Sequence, residues 1–179
     1  TKYTKFSDHI GLIPIVFVSP ADMVLINGSG SERRKFIDAY ISLYNKEYLN
    51  HLLAYNKLLA QRNVILKQGS VDATYIAIID EKMAEHMNAI FTIRNQSIHE
   101  LSSLLASLYH QISSFEDCKL QYQSQLQQID AFNGLHKSIE KDIVLTYTSF
   151  GIHRDDITFV FNNSEIKQVG SQGQKKSFL

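Results

Sequence analysis

Two long runs of helical periodicity, with almost nothing to interrupt them, constrain this chain most. Ile37, Ile41, Tyr44, Tyr48, Leu52, Tyr55, Leu59 and Leu66 recur at mostly three- or four-residue steps. Ile76, Ile79, Met83, Met87, Ile90, Ile98, Leu101, Leu105 and Leu108 form a second such run, with Gly69-Ser70 as the stop between them. The whole sequence holds two prolines and eight glycines in 179 residues, so long helices are expected. Two long helices joined by a short loop pack antiparallel, like a short coiled coil.

Shorter elements flank them. Residues 13–18 are apolar on both faces and read as a strand inside a sheet, with Pro14 near its start, where proline is tolerated. Residues 27–30 read as a loop, after which Ser29 and Glu32 have capping-box spacing, with Ser31 as a rival N-cap. Cys118, Leu120 and Tyr122 alternate with polar neighbours as in a half-buried strand. Residues 131–144 return to helix, with Leu135, Ile139 and Ile143 on one face. Ile157, Phe159 and Phe161 alternate again, and Asn162-Asn163 signals a turn before a short strand at residues 165–167. The expected fold class is α+β, mainly α.

Composition removes several classes. With 44% hydrophobic and 20% charged residues, the chain can bury a core and is not a disordered polymer. Zero net charge excludes a polycationic nucleic-acid binder. One cysteine, Cys118, excludes an internal disulfide framework and a Cys-rich zinc site. No apolar run approaches the ~20 residues that span a bilayer, and no signal-peptide segment is expected at the start. The neutral total hides a division. Residues 31–67 carry seven basic and three acidic side chains; residues 68–117 carry two basic and seven acidic. A basic helix can face an acidic one, or lie on a phosphate backbone.

Several apparent motifs fail on their context. Residues 75–81 look like the apolar strand and acidic pair of a Walker B motif, but the pattern runs on with helical spacing and no phosphate loop precedes it. His153-Arg154-Asp155 suggests a kinase catalytic loop, yet Val160 stands where that loop needs asparagine. The seven histidines show no ligand spacing; His99 and His110 on one helix would lie roughly 16 Å apart at about 1.5 Å per residue. No metal site is expected. No Gly-x-x-x-x-Gly-Lys-Ser/Thr occurs, so the chain has no phosphate-binding loop of its own.

Three segments remain. Pro14–Asp22 is followed by Leu25-Ile-Asn-Gly-Ser-Gly-Ser-Glu-Arg-Arg-Lys-Phe-Ile-Asp38. Leu59–Lys67 reads Leu-Ala-Gln-Arg-Asn-Val-Ile-Leu-Lys. Gly151-Ile-His-Arg-Asp-Asp156 is followed by Gly170-Ser-Gln-Gly-Gln174. In this order and spacing the sequence resembles the RecF family of bacterial DNA replication and repair proteins, over essentially all of its residues. The resemblance implies an ABC- and SMC-type ATPase whose head is built from both ends of a longer chain, with a helical arm inserted. This chain would then be a central segment: head strand and loop over 1–30, an antiparallel helical arm over 31–113, and a strand-helix-strand return to the head over 114–179. It would not be an enzyme alone. ATP and Mg would belong to the full-length protein, and no cofactor to this segment.

The resemblance further implies single-stranded or gapped DNA, RecO and RecR as partners, an ATP-dependent homodimer, RecA loading, a role in the SOS response, and a cytoplasmic location with no membrane contact. Ser171, Gln172, Gly173 and Gln174 match the family's ABC signature, which meets a nucleotide held by the other subunit. A Gly-rich turn opening a helix suits a phosphate, because unpaired N–H groups lie at the positive end of its dipole. Arg33, Arg34 and Arg62 match family positions, and with Lys57 and Lys67 they are candidate DNA contacts. On one helix Lys57 and Lys67 lie about 80° apart and Arg62 about 140° from each. His153, Arg154, Asp155 and Asp156 match a family motif whose role is unassigned. Ile152 stands where the family usually has proline, and no glutamine lies near Ser19-Pro20 to sense metal and water. The alternative function is a coiled-coil protein-interaction module without DNA contact.

Overall fold

The computed structural model describes residues 19–68, 72–113 and 115–179. The expected strand at residues 13–18 and the stop at Gly69-Ser70 lie outside them. In chain order the elements are α1 (Val24–Asn27), α2 (Gly30–Tyr44), α3 (Lys46–Lys67), α4 (Ala73–Ile112), β1 (Cys118–Gln123), α5 (Ala131–Leu145), β2 (Asp156–Phe161), β3 (Ser164–Glu165), α6 (Ile166–Val169) and α7 (Gln172–Phe178). The fold is α+β and mainly helical, as expected. The chain forms two compact units: Thr1–Lys46, Gln96–Tyr122 and Asp156–Leu179 make the first, Glu47–Asn95 and Gln123–Asp155 the second.

In the first unit a three-stranded sheet has the order β1-β2-β3. β2 and β3 are antiparallel, with Val160 opposite Glu165 and Phe161 opposite Ser164. Asn162 and Asn163 make the expected turn, with φ of 46° and 65°. Ile26, Tyr109, Cys118, Phe161, Ile166 and Phe178 form its core, flanked by Leu105, Leu120 and Phe159. The rings of Tyr109 and Phe178 lie 5.9 Å apart, and those of Phe159 and Phe178 5.6 Å apart.

In the second unit α3 and α4 run antiparallel. Tyr48 bonds Arg94 near one end, and Arg62 bonds Asp80 near the other. Between these ties the Nδ1 atoms of His51 and His86 stand 2.9 Å apart. Tyr55, Met83, Met87 and Ile90 fill the interior and are wholly buried. α5 packs over Phe150, and a Cβ on Gly134 would run into that ring, so only glycine allows this approach.

Three local expectations need correction. The first helical run is two helices, α2 and α3, broken at Asn45, which is extended (φ −122°, ψ 95°). Asparagine favours such boundaries because its side chain competes for backbone hydrogen bonds. The capping box at Ser29 does not form: Ser29 Oγ pairs with Ser31 Oγ at 2.8 Å, and Glu32 turns to Lys35 at 3.3 Å. The final strand stops at Glu165, because Ile166 opens α6 and drops fully into the core.

Candidate functional site

The Gly170–Gln174 turn lies in the first unit. Ser171 is the N-cap of α7, and the local sequence closes a full capping box. The Gln174 N–H donates to Ser171 Oγ at 3.2 Å, and the Ser171 N–H donates to Gln174 Oε1 at 2.9 Å. The Gln174 amide nitrogen then donates to Glu116 Oε1 at 2.7 Å, and Glu116 Oε2 accepts from the Tyr109 hydroxyl at 3.2 Å. Ser171, Gln172 and Gly173 are exposed.

The two glycines of this turn differ. A Cβ on Gly170 would stand 2.6 Å from the Ile166 side chain and 2.8 Å from its carbonyl oxygen, so the chain's own packing demands glycine there. Among the described residues, a Cβ on Gly173 would meet nothing closer than Ser171 Oγ at 3.9 Å. Glycine inside a helix costs about 0.5–1 kcal/mol relative to alanine. At position 173 no contact among the described residues requires that cost.

The His-Arg-Asp-Asp segment is a row of anchors. His153 Nε2 lies 3.0 Å from the Thr148 carbonyl, and Nδ1 lies 2.6 Å from the Tyr55 hydroxyl. A carbonyl only accepts, so neutral His153 carries its proton on Nε2 and accepts the Tyr55 proton at Nδ1. Burial pushes the Tyr55 phenol well above its ordinary value. Arg154 lies over the Tyr147 ring at 5.1 Å. Asp155 pairs with Arg94 at 3.0 Å, and Arg94 also reaches the Ile152 carbonyl and the Tyr48 hydroxyl, each at 2.8 Å. These four anchoring partners lie in the second unit. Asp156 pairs inside the first, taking Arg33 in a fork at 2.7 and 2.9 Å. Burial pushes the Asp156 carboxyl up, but Arg33 and the Ile157 amide outweigh it and hold the group below the usual carboxylate range. Gly151 precedes the row at φ 134°, and a Cβ there would meet the Tyr55 hydroxyl at 2.7 Å. Ile152, which stands where the family it resembles usually has proline, is buried.

The candidate DNA contacts separate. Arg62 is completely buried, which overturns its placement on a DNA-facing surface. It donates to Asp80 at 2.7 Å, Asp142 at 2.6 Å and the Thr148 hydroxyl at 3.0 Å. Burial pushes the Asp80 carboxyl up, with Arg62 pulling it back. Arg33 is likewise occupied by Asp156 and by the carbonyls of Leu25 and Gly28, so its fork is not open to a phosphate. Arg34 is half-buried and engaged in further interactions. Lys57 and Lys67 are exposed. Sequence reading missed Arg94, Asp142, Glu116 and Tyr109. For Arg94 a signal exists: it falls four residues after Ile90 and four before Ile98, on the apolar stripe. Among the described residues no cluster of three or more His, Cys, Asp or Glu side chains is placed to hold a metal ion. Among them, too, no helix is long and apolar enough to cross a membrane.

No protein-family model matches the chain. It is 40% identical over 179 residues to the DNA replication and repair protein RecF of Parabacteroides distasonis, covering 99% of this chain and 49% of that protein. To RecF of Flavobacterium johnsoniae it is 42% identical over 183 residues, covering 99% and 51%. To RecF of Leptospira interrogans it is 39% identical over 175 residues, covering 97% and 48%. A solved structure of the recombination mediator protein RecF-ATPrS in the RecFOR pathway superposes with a TM-score of 0.92 at 30% identity, covering 98% of this chain and 51% of that one. A RecF-ATP structure gives a TM-score of 0.83 at 32% identity, covering 90% and 46%. The chain thus matches RecF over practically its whole length, and it spans about half the length of the curated RecF relatives it matches.

Proposed function

We propose that this chain supplies the helical arm and flanking head elements of a RecF-like protein of DNA replication and repair. Residues 31–113 contribute the arm and residues 114–179 the return to the head. The full-length protein is an ABC-type ATPase that binds ATP with Mg, dimerises on ATP, and acts in the cytoplasm at single-stranded or gapped DNA. RecO and RecR are its partners, and RecA loading and the SOS response are its outputs. This segment alone is not the enzyme, since its sequence carries no phosphate loop.

Within that frame the Ser171–Gln174 turn meets the nucleotide held by a second subunit. The observation that carries this reading is Gly173. Among the described residues nothing packed around that exposed position requires glycine, whereas a phosphate approaching the backbone would. Ser171 Oγ accepts from the Gln174 amide, which leaves its hydroxyl proton to donate outward. The test is Ser171→Arg in a protein of full RecF length. ATP-dependent dimerisation, followed by light scattering with a non-hydrolysable analogue, is expected to fall while each monomer still binds ATP. Unchanged dimerisation, or loss of monomer binding, overturns the reading.

The coiled-coil interaction module gains support from one observation. Of the seven cations in residues 31–67, Arg33, Lys35 and Arg62 pair with carboxylates within the chain, and Arg34 is also engaged. Exposed Lys57 and Lys67 are where the two readings part.

A further inference from the structure

We propose that Glu116 is a positioning residue for the Ser171–Gln174 turn, fixing the side chain that closes it. The inference rests on the reading of that turn as a nucleotide contact. It concerns a residue 58 positions upstream that belongs to none of the sequence motifs.

A free glutamine amide can turn over, exchanging its oxygen and nitrogen. If Gln174 did so, its NH2 would face the Ser171 N–H, donor against donor, and the capping box would open. Glu116 prevents this. An ionised carboxylate only accepts, and its Oε1 lies 2.7 Å from Gln174 Nε2. The nitrogen is therefore held toward Glu116, and Oε1 is left for the Ser171 N–H at 2.9 Å. A hydrogen bond to a charged group is also the stronger kind.

Glu116 is itself held. Its second oxygen accepts from Tyr109 at 3.2 Å, and Tyr109 is only 3% exposed. The Tyr109 ring packs on Phe178, the last residue of α7. One tyrosine therefore sets α7 at both ends: its ring bears on the C-terminal residue, and its hydroxyl aims the carboxylate that secures the first turn. All these groups lie in the first unit, so the relay needs no other part of the molecule.

Glu116→Ala, Glu116→Gln and Tyr109→Phe would be made in a protein of full RecF length, beside Ser171→Arg. Glu116→Ala is expected to weaken analogue-induced dimerisation about tenfold, the scale of one charge-assisted hydrogen bond, with monomer affinity for ATP unchanged. Glu116→Gln keeps an acceptor for Gln174 and is expected to restore most of the loss. Tyr109→Phe keeps the ring packing and is expected to fall between. Adding Glu116→Ala to Gln174→Ala should cost little more than Gln174→Ala alone, since Glu116 acts through Gln174. If Ser171→Arg abolishes dimerisation while folded Glu116→Ala dimerises normally, the positioning role is overturned and the turn's function stands. If Ser171→Arg has no effect, both fall. Should Glu116→Ala not fold, Glu116→Gln and Tyr109→Phe decide: loss of dimerisation in Tyr109→Phe with near-normal Glu116→Gln supports the role, and two unaffected variants overturn it.

Discussion

At the scale of residues, the chain spends its arginines internally. Arg62 faces two aspartates in a site closed to water. Removing one partner of a buried pair strands the other charge, which costs about 3–5 kcal/mol. Arg62→Ala is therefore expected to lower unfolding stability by about that amount in denaturant titration, far more than Lys57→Ala on the exposed face of the same helix. The angular reading of α3 already set Arg62 apart from Lys57 and Lys67. It could not say which side was buried, because the acidic partners come from 18 and 80 residues away. His51 and His86 give a second residue-scale outcome. Burial first, and then the charge of His51, holds His86 below the ordinary histidine value, with Glu85 opposing. Glu47 lies 3.8 Å from the far nitrogen of His51. A histidine with a lowered folded pKa contributes stability that is present above about pH 6.5, the unfolded value. That contribution is lost as pH falls through the lower folded value. Melting temperature is expected to drop on acidification from pH 7 toward pH 5, and His86→Gln should flatten that part of the profile.

At the scale of elements, periodicity made most of the fold readable. β1, α5 and β2 lie where alternation and three-to-four spacing put them, and the Asn162-Asn163 turn forms where its sequence signal stands. Two things could not be read. The break at Asn45 carries no glycine or proline to announce it, and Ile166 leaves the strand to reach a core that only the folded unit creates. For the candidate site, the Ser171–Gln174 turn was legible as a motif. Its hold on Glu116 was not, since a single glutamate in a loop gives no pattern. The turn between β2 and β3 separates two roles that its sequence gives identically to two asparagines. Asn162 Oδ1 accepts from the Asp117 N–H at 2.8 Å, and the Asn162 N–H donates to the Asp117 carbonyl at 2.9 Å, pinning the start of β1. Both asparagines have positive φ, where glycine is favoured. Asn163→Gly is expected to be neutral or stabilising by up to about 0.5 kcal/mol. Asn162→Gly gains the same backbone ease but loses the side-chain bond, and should cost about 1 kcal/mol. Thermal unfolding of the pair checks the ordering; equal effects would remove the special role of Asn162.

At the scale of the molecule, the two functional readings divide on what the remaining basic surface does. Replacing Lys57 and Lys67 by glutamine in a protein of full RecF length leaves the buried pairs untouched. If both lysines meet phosphates, DNA affinity falls and the log–log salt slope shrinks by about 0.9 per contact on duplex or about 0.7 on single strands. A difference near 1.8 or 1.4 would thus also report the kind of DNA bound, as an estimate of about two lost contacts. Unchanged affinity and slope would favour the protein-interaction module. The order in which the two units can close follows from how the chain is divided between them. The second unit holds all of its parts once Asp155 has been synthesised, but the first still lacks β2. Arg33 waits across 123 residues of chain for its carboxylate, a separation that makes loop closure slow. On a ribosome that releases the chain from its N-terminal end, the helical pair can therefore complete while α2 is still exposed, and the residue that ends its wait is the very next one made.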